Sequence, residues 1–470
     1  MRTRTFLATT ALLLAACTPR AAPPVSTGKR IFDGPATLLS ASPDGARLAW
    51  LTGCTVGASG KAGPGCSLLV APAGGGEPVR VADGVAPAPG SFAWGRDGSL
   101  LLLARRDAAT GAGDLIVWRP GTEPRLIAPG TTAFAAGPGG AVAFAASGEA
   151  FVAPAGGEPV RLPGGAGTFE IALAPAPGRA IAARARGTGG SPVLLLWRDA
   201  SVDPDAVARD VGSFAFSPDG AWLAAVAGVV PGTEGALVAI PVGRGARGSP
   251  EPLAVARGVG PFLWAPGASR LAWLEGFDAR VHAGRLASAE PGKAPVAFGD
   301  RVTSFELAPG GGQVAFVRHV TEGGYAANLE VAAASASGAP ALLARDAAGF
   351  AFSPDGRFVY WRAGCAPSGD GCALFRAPAA GSGPSAPPER LADGVTSFAL
   401  PPGPGDRVLV TVARKDAAGV DVAAWTGGRL VPLDGGVLPG SAILLPPDGK
   451  RAAWIGAAPG RPGVLVAAVP

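Results

Sequence analysis

Along almost the whole chain, apolar and polar residues alternate in short runs that are cut off by Gly, Pro or Asp. The stretch from Gly260 to Val302 shows the pattern. GPFLWAPG alternates and ends in a Pro/Gly turn, RLAWLEG is a second run, ARVHAGRLA a third and APVAFGDRV a fourth. Side chains on a strand point alternately to its two faces, so a period of two predicts strands, and the intervening Pro, Asp and Gly predict hairpin turns. The stretch therefore reads as four strands in succession, with His282 inside the third.

That four-strand unit recurs. Phe-Ala-Phe-Ser-Pro-Asp-Gly is written at Phe214–Gly220 and again at Phe350–Gly356, with weaker relatives before Trp50, Phe144, Phe316 and Trp454 among others. Turn positions at Gly45, Gly98, Gly140, Gly178, Gly220, Ala268, Gly311, Gly356, Gly405 and Gly449 stand 38 to 53 residues apart. Four-stranded units of ~40–50 residues are the blades of propellers. In the turn itself, Pro fixes φ at the first corner and Gly accepts positive φ after Asp, so the repeated Ser-Pro-Asp-Gly is architecture rather than chemistry. The third and fourth repeats are the weakest, with GPGG and APAPG in its place. The last repeat stops at GVLVAAVP, Gly463 to Pro470, after only a third strand, and GKRIFDG, Gly28 to Gly34, matches the missing fourth. The expected fold is all-β, a propeller of four-stranded antiparallel blades over residues 29–470. About ten blades are expected, closed by the N-terminal strand completing the last one. Even spacing favours one ring; two smaller rings, or irregular weak repeats, are the alternatives.

The pattern F-x-[FW]-S-P-D-G-x-x-[LV]-A-[WF] resembles the PD40, TolB-like repeats of the WD40-like superfamily, over Gly28 to Pro470. The resemblance implies a propeller that binds other envelope proteins. The chain departs from TolB in lacking a preceding α/β domain and in its repeat number, which exceeds the usual four to eight blades.

The first residues read as a leader. Arg2 and Arg4 precede the apolar FLATTALLL, which is too short to span a bilayer, and LAAC follows, ending at Cys17. This resembles the lipobox of bacterial lipoproteins. It implies a signal peptide over 1–16, acylation at Cys17, a tether over 17–28, and, from Thr18, an outer-membrane address facing the periplasm. Four cysteines remain, Cys54, Cys66, Cys365 and Cys372, in matching contexts WLTGC…CSLLV and WRAGC…CALF. Two hairpin disulfides fit an oxidising compartment; zinc is disfavoured because no CxxC spacing or neighbouring His accompanies them.

The formal charge is +5, or +3 once Arg2 and Arg4 leave with the signal, which predicts no nucleic-acid role. A monomer is expected. Strand order puts the second-to-third loops and the fourth-to-first crossovers on one face. Arg105, Arg106, Arg318, His319, Arg414 and Lys415 fall in those loops, either as an anion- or partner-binding patch or as solvated charge. The crossovers carry Asp33, Asp83, Asp210, Arg257, Asp300, Arg301, Arg345, Asp346, Asp393 and Asp434, either as a channel-mouth collar or as turn formers. DASVDPD, Asp199 to Asp205, is a loop cluster that lacks the spacing of a calcium-binding EF-hand. With two histidines and no G-x-S-x-G elbow, no catalytic residue, metal or cofactor is assigned. The expectation is a lipid-anchored, non-catalytic binding scaffold. The alternatives are a propeller enzyme of the hydrolase or lyase type, or a small-ligand sensor, with its site in the central channel.

Overall fold

The repeated turn is where sequence most directly becomes structure. In the computed structural model, the Oγ of Ser42, Ser217 and Ser353 each accepts the backbone N–H five residues on, at 3.0, 2.9 and 2.9 Å. The following Asp accepts the N–H two residues beyond itself, at 3.0 to 3.1 Å. Gly45, Gly220 and Gly356 take φ of 69, 69 and 71°, and their amides close the turn on the Ser carbonyls. The Ser hydroxyl is thus paired within the corner and with the strand that follows it, which lets the Ser be buried.

The structure describes residues 28–56, 62–107, 109–175, 180–229, 235–243, 251–319, 327–365, 371–379, 387–401, 407–414, 419–437, 443–446, 449–456 and 462–469. Among these all regular structure is antiparallel strand, save one 3-10 turn at Pro138–Gly140. A unit is seen at Ser213–Phe216, Trp222–Ala227, Gly235–Pro241 and the first half of Leu253–Trp264, paired in that order. The second half of Leu253–Trp264 opens the next unit by pairing Phe262 with Trp273. The sequence reads a fourth strand and a following first strand as separate. Instead, Arg125–Ala136, Leu253–Trp264, Val296–Leu307 and Glu389–Ala399 each run through from one unit to the next. A residue in the left-handed region sits near each junction, Gly130, Gly258, Arg301 and Gly394, and bends the strand without ending it. The weak third and fourth repeats also form four-strand units.

The core lies between units. Ten clusters of buried side chains occur among the described residues, each drawn from two neighbouring units. One joins Ala224, Val226, Leu237, Leu271 and Trp273. Another joins the two ends of the chain, with Ile31, Ala453, Val464 and Val466 packed on Leu48 and Trp50. The strand Lys29–Asp33 pairs with Gly463–Ala468, setting Lys29 opposite Val466 and Asp33 opposite Gly463. Trp50, Trp197, Trp273, Trp361 and Trp454 are fully buried, each an anchor of one such contact.

Candidate ligand-binding face

The second-to-third hairpins and the crossovers meet through their backbones. Arg105 N–H donates to Gly84 O at 2.9 Å, Val229 N–H to Asp210 O at 2.8 Å and Arg362 N–H to Gly349 O at 3.0 Å. These bonds place the two kinds of segment on one face. Disulfides Cys54–Cys66 and Cys365–Cys372 close two of the hairpins there, with Cα atoms 4.2 and 4.0 Å apart.

The crossover residues have a common backbone reason. Gly84, Asp210, Gly258, Arg301, Asp346 and Gly394 all adopt positive φ, between 52 and 72°. Glycine takes this conformation freely and Asp tolerates it, which explains the recurrence of Asp-Gly and Arg-Asp at these places. Asp33, Asp83 and Asp393 bind back along their own strands, to Arg30 at 3.0 Å, Arg80 at 2.7 Å and Arg390 at 2.8 Å. Exposed pairs of this kind contribute at most ~1 kcal/mol each. Arg345 neighbours Asp346 at an equivalent crossover. Asp434 does not line a mouth: it is 4% exposed and accepts from Trp454 Nε1 at 3.1 Å and from Gly435 N–H at 2.9 Å, capping the core beneath it.

The loop cations are distributed over three hairpins. Arg105 pairs with Asp114, Arg106 donates to Gly111 O at 2.8 Å, Arg318 binds the buried Glu330 at 3.1 Å and Arg414 lies 3.6 Å from Asp421. Each is matched within its own hairpin, and His319 ends the strand Gln313–His319. Cys17 and Lys415 lie outside the described residues. His282 is not inside a strand: the strand begins at Ala283, and His282 sits exposed in the preceding turn at φ 50°. In the Asp199–Asp205 loop, Asp199 accepts from Ser201 N–H at 2.9 Å and Asp205 pairs with Arg198. No group of three or more His, Cys, Asp or Glu placed to hold a metal ion occurs among the described residues.

One residue of interest is not singled out by motif reading. Glu306 occupies the first strand of its unit, where Ala215 and Ala351 stand in other repeats. Burial pushes its carboxyl up to about 7, against a lowering hydrogen bond from the Phe352 backbone. The signal was SFELAPGG set against SFAFSPDG, an acid in the register of an alanine.

A cavity of about 670 Å³ lies on the loop face, at the unit containing Leu271–Asp278. Of the ten crossover residues, Arg257, Asp300 and Arg301 line it, beside Glu275, Asp278 and Arg285.

No family model matches the chain, and no curated protein matches it. Among solved structures, a eukaryotic initiation factor superposes with TM-score 0.50 at 14% identity, over 79% of this chain and 91% of that one. The tricorn protease gives 0.35 at 10% identity over 90% and 41% of the two chains. A putative TolB from Agrobacterium tumefaciens gives 0.29 at 18% over 57% and 94%. At 14% identity the likeness to the initiation factor is one of fold alone.

Proposed function

We propose that this chain is a lipid-anchored scaffold of the bacterial cell envelope, non-catalytic, that binds another envelope protein through its loop face. Ten four-stranded blades form a single closed ring, with Lys29–Asp33 supplying the last strand. Two observations support the ring: that strand pairs with Gly463–Ala468, and a shared cluster packs the final unit on the first. LAAC at Leu14–Cys17 supports the anchor, which would hold the ring to the outer membrane on its periplasmic side. Cys17 would carry the acyl chains, and several chains on one residue give stable attachment.

The observation that carries the binding role is the convergence on one face, among the described residues, of parts of both disulfide hairpins, of other second-to-third hairpins and of the crossovers. Variable loops on a rigid repetitive frame are where recognition concentrates. In situ crosslinking of the anchored protein, followed by mass spectrometry, tests the reading. A reproducible envelope protein linked through residues of the loop face is expected. Capture through the Ser-Pro-Asp-Gly face, or of nothing by a working crosslinker, would refute it.

A further inference from the structure

The cavity on the loop face is assembled from three separated segments. Arg257 comes from one crossover, Glu275 to Gly284 from a hairpin, and Asp300 and Arg301 from the next crossover. Its volume falls within the ~300–1,000 Å³ of small-molecule sites. Most of its charges are already matched. Glu275 receives Arg285 Nε at 3.0 Å, and Asp278 receives Arg280 at 3.1 and 2.9 Å. Arg257 and Arg301 have no acidic partner among the described residues, and Asp300 accepts no hydrogen bond there, acting only through space on Arg285. Among the described residues the cavity therefore presents two guanidinium groups without an acidic partner and one carboxylate that accepts no hydrogen bond, all exposed.

Two residues at this cavity hold left-handed backbones, as Leu38 and Arg105 do elsewhere. Arg301 holds φ 61°, where the matching crossover positions carry Gly84, Gly258 and Gly394, or Asp210 and Asp346. A long side chain pays for a left-handed backbone that Gly adopts without cost, and such residues cluster at ligand clamps. His282, on the facing hairpin, holds φ 50° beside Val281, whose side chain is 63% exposed on the cavity wall.

We infer that this cavity binds a small polyhydroxylated oxyanion, a sugar acid or sugar phosphate, with its anionic group between Arg257 and Arg301 and its hydroxyls donating to Asp300. Planar guanidinium forks match the oxygens of carboxylate and phosphate alike. A free carboxylate accepts hydroxyl protons and repels a ligand that is anionic throughout. Val281 offers the apolar surface on which a carbon skeleton rests. The site needs no protein partner, so it stands or falls independently of the scaffold role.

Calorimetric titration of the purified full chain at low ionic strength, with glucuronate, glucose 6-phosphate and glucose as probes, tests the inference. At least one of the two acidic sugars should bind saturably, and glucose about tenfold more weakly or worse. Which acid binds tighter separates the carboxylate source from the phosphate source. Arg301→Gly, which relieves the backbone and so does not threaten folding, and Arg257→Gln should each weaken binding about tenfold or more. Arg96→Gln, on the opposite face, should leave it unchanged. The inference is overturned if neither acid saturates, if glucose binds as well, or if Arg301→Gly and Arg257→Gln bind like the parent.

Discussion

Gly371 and Gly394 meet backbone to backbone: a Cβ on Gly371 would stand 2.3 Å from the carbonyl carbon of Gly394. The same approach recurs at Gly65, whose Cβ would stand 2.6 Å from Gly84. In both units the first glycine directly precedes a disulfide cysteine and the second follows the aspartate of a crossover. The disulfide hairpin can lie on the crossover only because its own glycine has no side chain. Both first glycines also hold positive φ, 85 and 90°. Gly371→Ala should therefore destabilise the protein by about 2 kcal/mol or more, from steric displacement plus backbone strain. Denaturant unfolding measures this, and a midpoint within error of the parent would show that the two segments can move apart freely.

The Ser-Pro-Asp-Gly corners make stability fall in acid. Ser42 Oγ donates to Asp44 and the Ala46 N–H follows at 3.0 Å, together holding that carboxyl below its ordinary value. At Asp219 and Asp355 burial works the other way, but hydrogen bonds from Ser217 and Ser353 and from nearby amides outweigh it. A carboxyl depressed by folding stabilises the fold above its unfolded value of about 4, and that contribution is lost as the pH drops through the folded value. Ser42→Ala should cost about 1–3 kcal/mol at neutral pH by orphaning the Arg47 amide. It should also flatten the decline below about pH 4. Equal acid slopes in parent and variant would remove Asp44 from the account.

Much of this was legible from the chain. The unit of four strands, the turn positions, both disulfides and the partnering of Lys29–Asp33 with the final strands follow from spacing and alternation, because each is a local pattern written many times. The crossover charges were harder. Asp83 and Asp434 look alike in sequence, each before a glycine, yet one is exposed and bound to Arg80 while the other is buried under Trp454. What separates them is a tryptophan from the following unit, and strand periodicity carries no information about such a neighbour. Glu306 is the reverse case: its oddity is plain once repeats are aligned, but its raised proton affinity depends on burial that the alignment does not report.

Glu306 gives the opposite pH signature to the corners. With its folded value raised to about 7 from an ordinary 4.5, the fold takes up a proton that the unfolded chain releases. Its contribution is fully present below about pH 4.5 and is lost as the pH rises toward 7. Glu306→Gln keeps an acceptor for the Phe352 amide while removing the charge. It should stabilise the protein by roughly 1–3 kcal/mol above pH 7 and abolish the slope between 4.5 and 7. Melting temperatures across that range decide it; a variant that tracks the parent at every pH would place Glu306 in water.

The strand Lys29–Asp33 bears on the proposed ring, because there the last strand of the chain pairs with its beginning. Ile31 is 8% exposed among Leu48, Trp50, Val464 and Val466, and Phe32 packs on Trp50 with ring centroids 5.5 Å apart. Were this strand to detach, Gly463–Ala468 would become an edge with bare N–H and C=O groups and exposed valines, a template for pairing between molecules. Ile31→Asp places an unpaired charge in that cluster and should cost about 3 kcal/mol or more. The loss should be local first, since the other inter-unit clusters are untouched. Hydrogen exchange followed by mass spectrometry should then show protection falling across 463–468 while Leu271–Asp278 stays protected, with oligomers appearing on concentration. Unchanged exchange at 463–468 would mean that those amides do not depend on the N-terminal strand, and the ring would have to be held shut elsewhere.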